Sequence, residues 1–90
     1  RLPEIKAIEL ANYTGSALGE VITVEVADTF KVVGVMVSII NDVTIIEEGS
    51  AIFVDGVWEY VTTALNAATT DSKVVVTAVD RAGNKINKSY

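Results

Sequence analysis

The sequence predicts an all-β sandwich of seven or eight short antiparallel strands, and three observations carry that prediction. First, Val, Ile and Thr dominate the apolar and small polar positions, whereas Leu occurs only at positions 2, 10, 18 and 65. These β-branched residues suit a pleated, half-buried surface and make poor material for a helical bundle. Second, apolar and polar residues alternate with period two along much of the chain. Third, turn signals recur every 8–12 residues with no helical pattern between the runs, which disfavours βαβ units and a parallel sheet.

In chain order, Ile5–Leu10 reads as an edge strand and 12–19 as a loop. The run 20–27 (EVITVEVA) puts Ile22, Val24 and Val26 on one face. The run 31–40 (KVVGVMVSII) puts Val33, Val35, Val37 and Ile39 on one face, opposite Gly34, Met36 and Ser38, and predicts a central strand. Asn41-Asp42 marks a turn, Val43–Glu47 a short strand, and Glu48-Gly49-Ser50 a second turn in which Gly49 could take positive φ. Ala51–Val54 and Val57–Thr63 flank Asp55-Gly56, a strong short hairpin signal. The segment 64–72 (ALNAATTDS) fits a loop or a single helical turn. Lys73–Val79 and Lys85–Tyr90 are strands around Asp80-Arg81-Ala82-Gly83-Asn84, where Arg81-Ala82 suit a type I turn and Gly83 the left-handed position after it. Pro3 lies outside every predicted strand interior, where its missing N–H would break a ladder.

Composition narrows function mainly by exclusion. Seven Lys and Arg against twelve Asp and Glu give a net charge of −5, the wrong sign for a partner coated in phosphate, so no nucleic-acid partner is expected. No apolar run approaches the ~20 residues of a helical span, so membrane insertion is not expected. Cys and His are both absent. The fold must therefore hold without disulfides, and the commonest general base and metal ligand are missing. The carboxylates Asp28, Asp42, Asp55, Asp71 and Asp80 are scattered rather than spaced as a calcium loop, so neither a metal nor a cofactor is expected. Glu47-Glu48 is adjacent only along the chain, because neighbouring strand residues point to opposite faces. Ser72-Lys73 and Lys88-Ser89 lack any context for nucleophilic catalysis, and the dispersed glycines form no phosphate loop. The patterns Asn12-Tyr13-Thr14 and Asn87-Lys88-Ser89 match a glycosylation acceptor at a frequency that chance explains. The expectation is a chain that is not an enzyme.

Trp58 and Tyr60 stand two apart on a strand and share a face. Two readings are open for them. They fill the core with bulk that Val cannot supply, or they form an exposed platform for stacking on a sugar ring. Tyr13, Phe30, Phe53 and Tyr90 are isolated and read as core or rim.

The stretch 55–60 (DGVWEY), followed by 74–84 (VVVTAVDRAGN) and preceded by 48–51 (EGSA), resembles bacterial immunoglobulin-like domains that lack the disulfide. The likeness is good over about the last half of the chain and extends to the first half only in strand spacing. It implies a single immunoglobulin-like Greek-key sandwich over residues 1–90, excised from a longer chain. It also implies a structural, adhesive or spacer role in a cell-surface or secreted bacterial protein, with neighbouring domains of the same polypeptide as partners. The alternative is an accessory module that binds carbohydrate or protein through exposed aromatics or loops, with Trp58 and Tyr60 as the contacts. The family offers no active-site residues to carry over.

Overall fold

A computed structural model describes residues 3–27 and 31–90. Asp28 and Phe30 lie outside the described residues. Among the described residues eight strands run in the order β1 (Glu4–Glu9), β2 (Val21–Ala27), β3 (Val32–Asn41), β4 (Thr44–Ser50), β5 (Ile52–Val54), β6 (Val57–Val61), β7 (Ser72–Asp80) and β8 (Lys85–Ser89). They form two antiparallel four-stranded sheets, β1-β2-β6-β5 and β4-β3-β7-β8. The segment left ambiguous by sequence holds one 3-10 turn, Thr69–Asp71.

The alternating apolar residues meet between the sheets. Ile22 and Val24 from the first sheet and Val35, Val37, Ile39 and Val76 from the second are fully buried. Burying such a side chain stabilises the fold by about 1.5–3 kcal/mol each, so these six dominate the core. The β5–β6 hairpin closes on Asp55 and Gly56, both at positive φ (48° and 88°), as a type I′ turn requires. In the β7–β8 hairpin the Gly83 N–H donates to the Asp80 carbonyl (3.1 Å), Gly83 has φ 87°, and the Asn84 N–H donates to Asp80 Oδ1 (2.8 Å). That is the type I turn with a left-handed residue expected from the sequence.

Several expectations need correction, one because a bulge resets the alternation and the others because of where a turn falls and where the chain changes sheet. Val33 is not on the core face. It is the extra residue where Val32 pairs with Asp80 and Gly34 with Val79, so Val32 turns inward and Val33 is 57% exposed. Val43 is not in a strand but in the turn between β3 and β4, beside Asp42 at φ 56°. Glu48-Gly49-Ser50 is no turn. It continues β4 against Met36–Ser38, and the chain passes to the other sheet at Ala51. Gly49 is absent from the positive-φ positions. Its missing side chain instead admits the Tyr60 ring, since a Cβ there would stand 3.0 Å from Tyr60 Cε1.

β1 and β8 fix how the chain passes through the molecule. Glu4 pairs with Ala27 at one end, and Ser89 pairs with Val75 toward the other. The first end carries the Asp55-Gly56 and Arg81–Asn84 turns. The second carries the 10–20 and 62–71 loops and the Asp42-Val43 turn. The ten residues of β3 span ~33 Å at strand rise, close to the longest extent of 38 Å, so the strands run along the long axis.

Candidate functional site

Polar side chains concentrate at the end bearing the 10–20 and 62–71 loops. Glu47 is the least expected of them, a carboxylate only 7% exposed on edge strand β4. It faces inward because of a bulge. Ile39 pairs with Glu47 but Ile40 pairs with Ile45, so Ile46 is the extra residue and Ile45 turns outward. Glu47 Oε1 accepts from the Tyr60 hydroxyl (2.7 Å), the Thr63 N–H (2.8 Å) and Thr63 Oγ1 (3.2 Å), and Oε2 accepts from the Ala64 N–H (3.2 Å). β4 belongs to one sheet and Tyr60 to the other, so the carboxylate clasps the sandwich and anchors the start of the 62–71 loop. Three of these bonds converge on Oε1 and one on Oε2, so the carboxylate is held by both the facing sheet and the loop backbone.

Asn66 is the second hub and is buried. Its Nδ2 donates to the Tyr13 hydroxyl (3.0 Å) and Ser72 Oγ (2.8 Å), and its Oδ1 accepts from Asn41 Nδ2 (2.9 Å) and the Ala68 N–H (3.1 Å). Ser72 Oγ in turn donates to Asn41 Oδ1. The Asn66 N–H donates to the Gly15 carbonyl (2.8 Å), which draws the 10–20 loop onto the 62–71 loop. Glu20 holds the first of these loops, accepting from the Gly15 N–H (2.8 Å), the Thr14 N–H (3.1 Å) and the Thr14 hydroxyl. The Glu20 N–H donates to Oγ1 of the buried Thr62 (3.0 Å). Beside this network a shallow cleft of about 280 Å³ is lined by Leu10, Tyr13, Thr69, Ser72, Val74 and Tyr90, among others. Among the described residues no acidic side chain lines it. Among the described residues no group of acidic side chains is placed to hold a metal ion.

Trp58 and Tyr60 do share a face, and that face is the core. Trp58 is 8% exposed and Tyr60 4%, so neither forms an exposed platform for stacking. Phe53, half exposed on β5, lies against Trp58 with ring centroids 5.4 Å apart. Glu48 points away from Glu47 and accepts from Ser38 Oγ (2.6 Å) at the surface. Sequence reasoning missed Glu47 and Asn66. An Ile-Ile-Glu-Glu run does not say which Glu faces in, and an Asn inside a polar loop looks like any turn residue.

Hydrogen-bonded carboxylates at the two ends and the Tyr60 phenol make stability depend on pH at both extremes. Hydrogen bonding from Thr14 holds Glu20 below its ordinary value, and hydrogen bonding from Asn84 does the same for Asp80. A lowered folded-state pKa gives stability that is present above the ordinary carboxylate range and is lost as pH falls below that range through the lowered folded-state value. Burial pushes the Tyr60 phenol from 10.0 up to about 12, and its bond to Glu47 adds to the shift. A raised folded-state pKa gives stability that is complete below pH 10 and lost as pH rises toward 12. Urea midpoints measured against pH are therefore expected to hold steady through neutrality and fall at both ends. Tyr60→Phe should flatten part of the alkaline fall and leave the acid fall unchanged. An identical alkaline fall in both proteins would remove Tyr60 as its source.

No known protein family, characterised protein or solved structure matches the chain.

Proposed function

We propose that this chain is a non-catalytic, immunoglobulin-like Greek-key module that acts as a spacer or adhesive unit in a larger cell-surface or secreted bacterial protein. The strand order supports the fold assignment. β1-β2-β6-β5 facing β4-β3-β7-β8 matches the A-B-E-D and C′-C-F-G sheets of that architecture. The observation that carries the function is the path of the chain, which begins β1 at one end of the long axis and leaves β8 toward the other. A sandwich threaded in this way adds length with each copy, and neighbouring domains of the same polypeptide are its natural partners. The Glu47 and Asn66 networks support a mechanical reading, because they brace the 10–20 and 62–71 loops against the sheets. The bacterial surface location rests on the motif resemblance alone.

Small-angle scattering of two copies fused directly from Tyr90 to Arg1 tests the proposal. The fusion is expected to be elongated, with a maximum dimension about twice the 38 Å long extent of one copy. Two copies folded side by side would overturn the spacer reading.

A further inference from the structure

Among the described residues each sheet has two edge strands, β1 and β5 in the first and β4 and β8 in the second. An edge strand presents unpaired backbone N–H and C=O groups and invites a further strand unless the sequence blocks it. Three of the four are blocked. β1 carries Glu4, Lys6 and Glu9, and Lys6 is the extra residue of a bulge, since Ile5 pairs with Val26 and Ala7 with Glu25. β4 is bent by the bulge at Ile46 and turns the Glu47 carboxylate inward. β8 exposes Lys85 and Lys88. Bulges, inward charges and lysines are the devices that keep strands from adding.

β5 has none of them. Ile52, Phe53 and Val54 are uncharged and exposed (64%, 45% and 36%), and the β5–β6 register runs without a shift. The two-residue loop makes Val54 and Val57 a hydrogen-bonded pair, so Phe53 and Trp58 are a non-hydrogen-bonded one. The Phe53 N–H and C=O therefore point away from β6, toward the open side. β4 does not cover that side. It ends at Ser50 opposite Met36, midway along β3, and β5 runs on from there to the Asp55-Gly56 turn. The length of β5, three residues, limits only the strength of a pairing.

We propose that β5 of one copy pairs antiparallel with β5 of a second copy, Phe53 against Phe53, and joins the two first sheets into one of eight strands. Among the described strands a second copy offers no other unblocked edge, and β5 complements itself. Ile52 falls opposite the second copy's Val54 and Asp55 opposite its Ala51, so no like charges meet. The two Phe53 residues exchange both N–H···O bonds. Their rings extend the row that begins at Trp58, whose ring lies 5.4 Å from Phe53 within one copy. The contact has a two-fold axis, so it closes as a dimer and does not propagate. Three residues a side cover far less than the ~800 Å² per partner of stable complexes, so free copies should pair only at about 1 mM.

Antiparallel strands set the two long axes in opposite directions, which suits copies carried on facing surfaces. That role rests on the adhesive reading, whereas the contact does not. In the pair the two β1 strands stand seven strand spacings apart, ~33 Å, and β8 lies beside β1 in each copy. Two copies fused directly from Tyr90 to Arg1 therefore cannot pair within one fusion, and the scattering test fails or succeeds independently of this one.

Amide hydrogen exchange of the single chain at micromolar and at about 2 mM concentration tests the pairing. The Phe53 N–H should exchange about twofold more slowly at the higher concentration, because about half or more of the chain is then paired. Ile52 and Val54 bond β6 in either state and should not change. Ile52→Lys and Val54→Glu, both at exposed positions, should each leave Tm unchanged and remove the concentration dependence. Mixed together they should restore it, because position 52 of one copy faces position 54 of the other. Equal exchange of Phe53 at both concentrations, association that survives Ile52→Lys, or a mixture that stays monomeric would overturn the pairing. Concentration-dependent protection at β1, β4 or β8 in place of Phe53 would overturn it as well.

Discussion

Replacing Glu47 by Ala is expected to cost about 2–3 kcal/mol, because the truncation leaves the buried Tyr60 hydroxyl without its acceptor and takes the same acceptor from the part-buried Thr63 and Ala64 N–H groups. Domains of this kind are stable by only about 5–15 kcal/mol in total, so a large part of the folded population is at stake. Glu47→Gln separates the two oxygens. The amide retains one acceptor for Tyr60 and Thr63 but turns its NH₂ toward the Ala64 N–H, and a cost of about 1–2 kcal/mol is expected. Equilibrium urea unfolding followed by Trp58 fluorescence measures all three proteins. A loss below about 1 kcal/mol in Glu47→Ala would show that water satisfies those donors and that the clasp does not hold the sheets together.

Gly15→Ala is the second large effect, and it acts on the backbone. Gly15 has φ +76°, and a Cβ there would stand 2.1 Å from the Asn66 carbonyl oxygen and 2.7 Å from Thr69 Cγ2. The oxygen belongs to a backbone and cannot swing aside, so the two loops must part and the bond from the Asn66 N–H to the Gly15 carbonyl must stretch. A loss of about 3 kcal/mol or more is expected, from strain at positive φ together with a broken buried hydrogen bond. Gly19→Ala is the control. Its φ is +82°, but a Cβ meets nothing within 4 Å, so only the conformational cost of about 1 kcal/mol applies. By thermal unfolding Gly19→Ala should lower Tm by ~4–8 °C and Gly15→Ala by at least twice that. Equal losses would mean that the contact between the loops is unimportant.

These two sites show where the sequence was legible. Residues whose conformation is decided locally could be read directly. Asp55-Gly56 carries its own turn geometry, and Asp80–Asn84 does so as well. The core faces of β2 and of most of β3 followed from parity, since Ile22, Val24, Val35, Val37 and Ile39 all face inward. Parity failed at bulges, because one extra residue reverses every later assignment along a strand. Val33 and Glu47 were both misplaced or missed for that reason. The passage of the chain from one sheet to the other at Ala51 has no local signature, so Glu48-Gly49-Ser50 looked like a turn. Gly49 is small there because the Tyr60 ring from the opposite sheet lies against it, a fact only the tertiary structure holds. Asn66 is a hub for the same reason, since its partners Tyr13, Asn41 and Ser72 come from three separate segments.

The path of the chain from one end of the long axis to the other underlies the proposed spacer role. The chain contains no Cys, so labels can be placed without first removing native thiols. Paired spin labels at Glu4→Cys and Ser89→Cys test the path in the single domain. β1 alone advances ~17 Å from Glu4 to Glu9 at strand rise, and Ser89 lies toward the end that β1 reaches, so a single narrow distance distribution of at least ~17 Å is expected. A distance of about 10 Å, the separation of two packed sheets, would put both terminal strands at the same end and contradict the account.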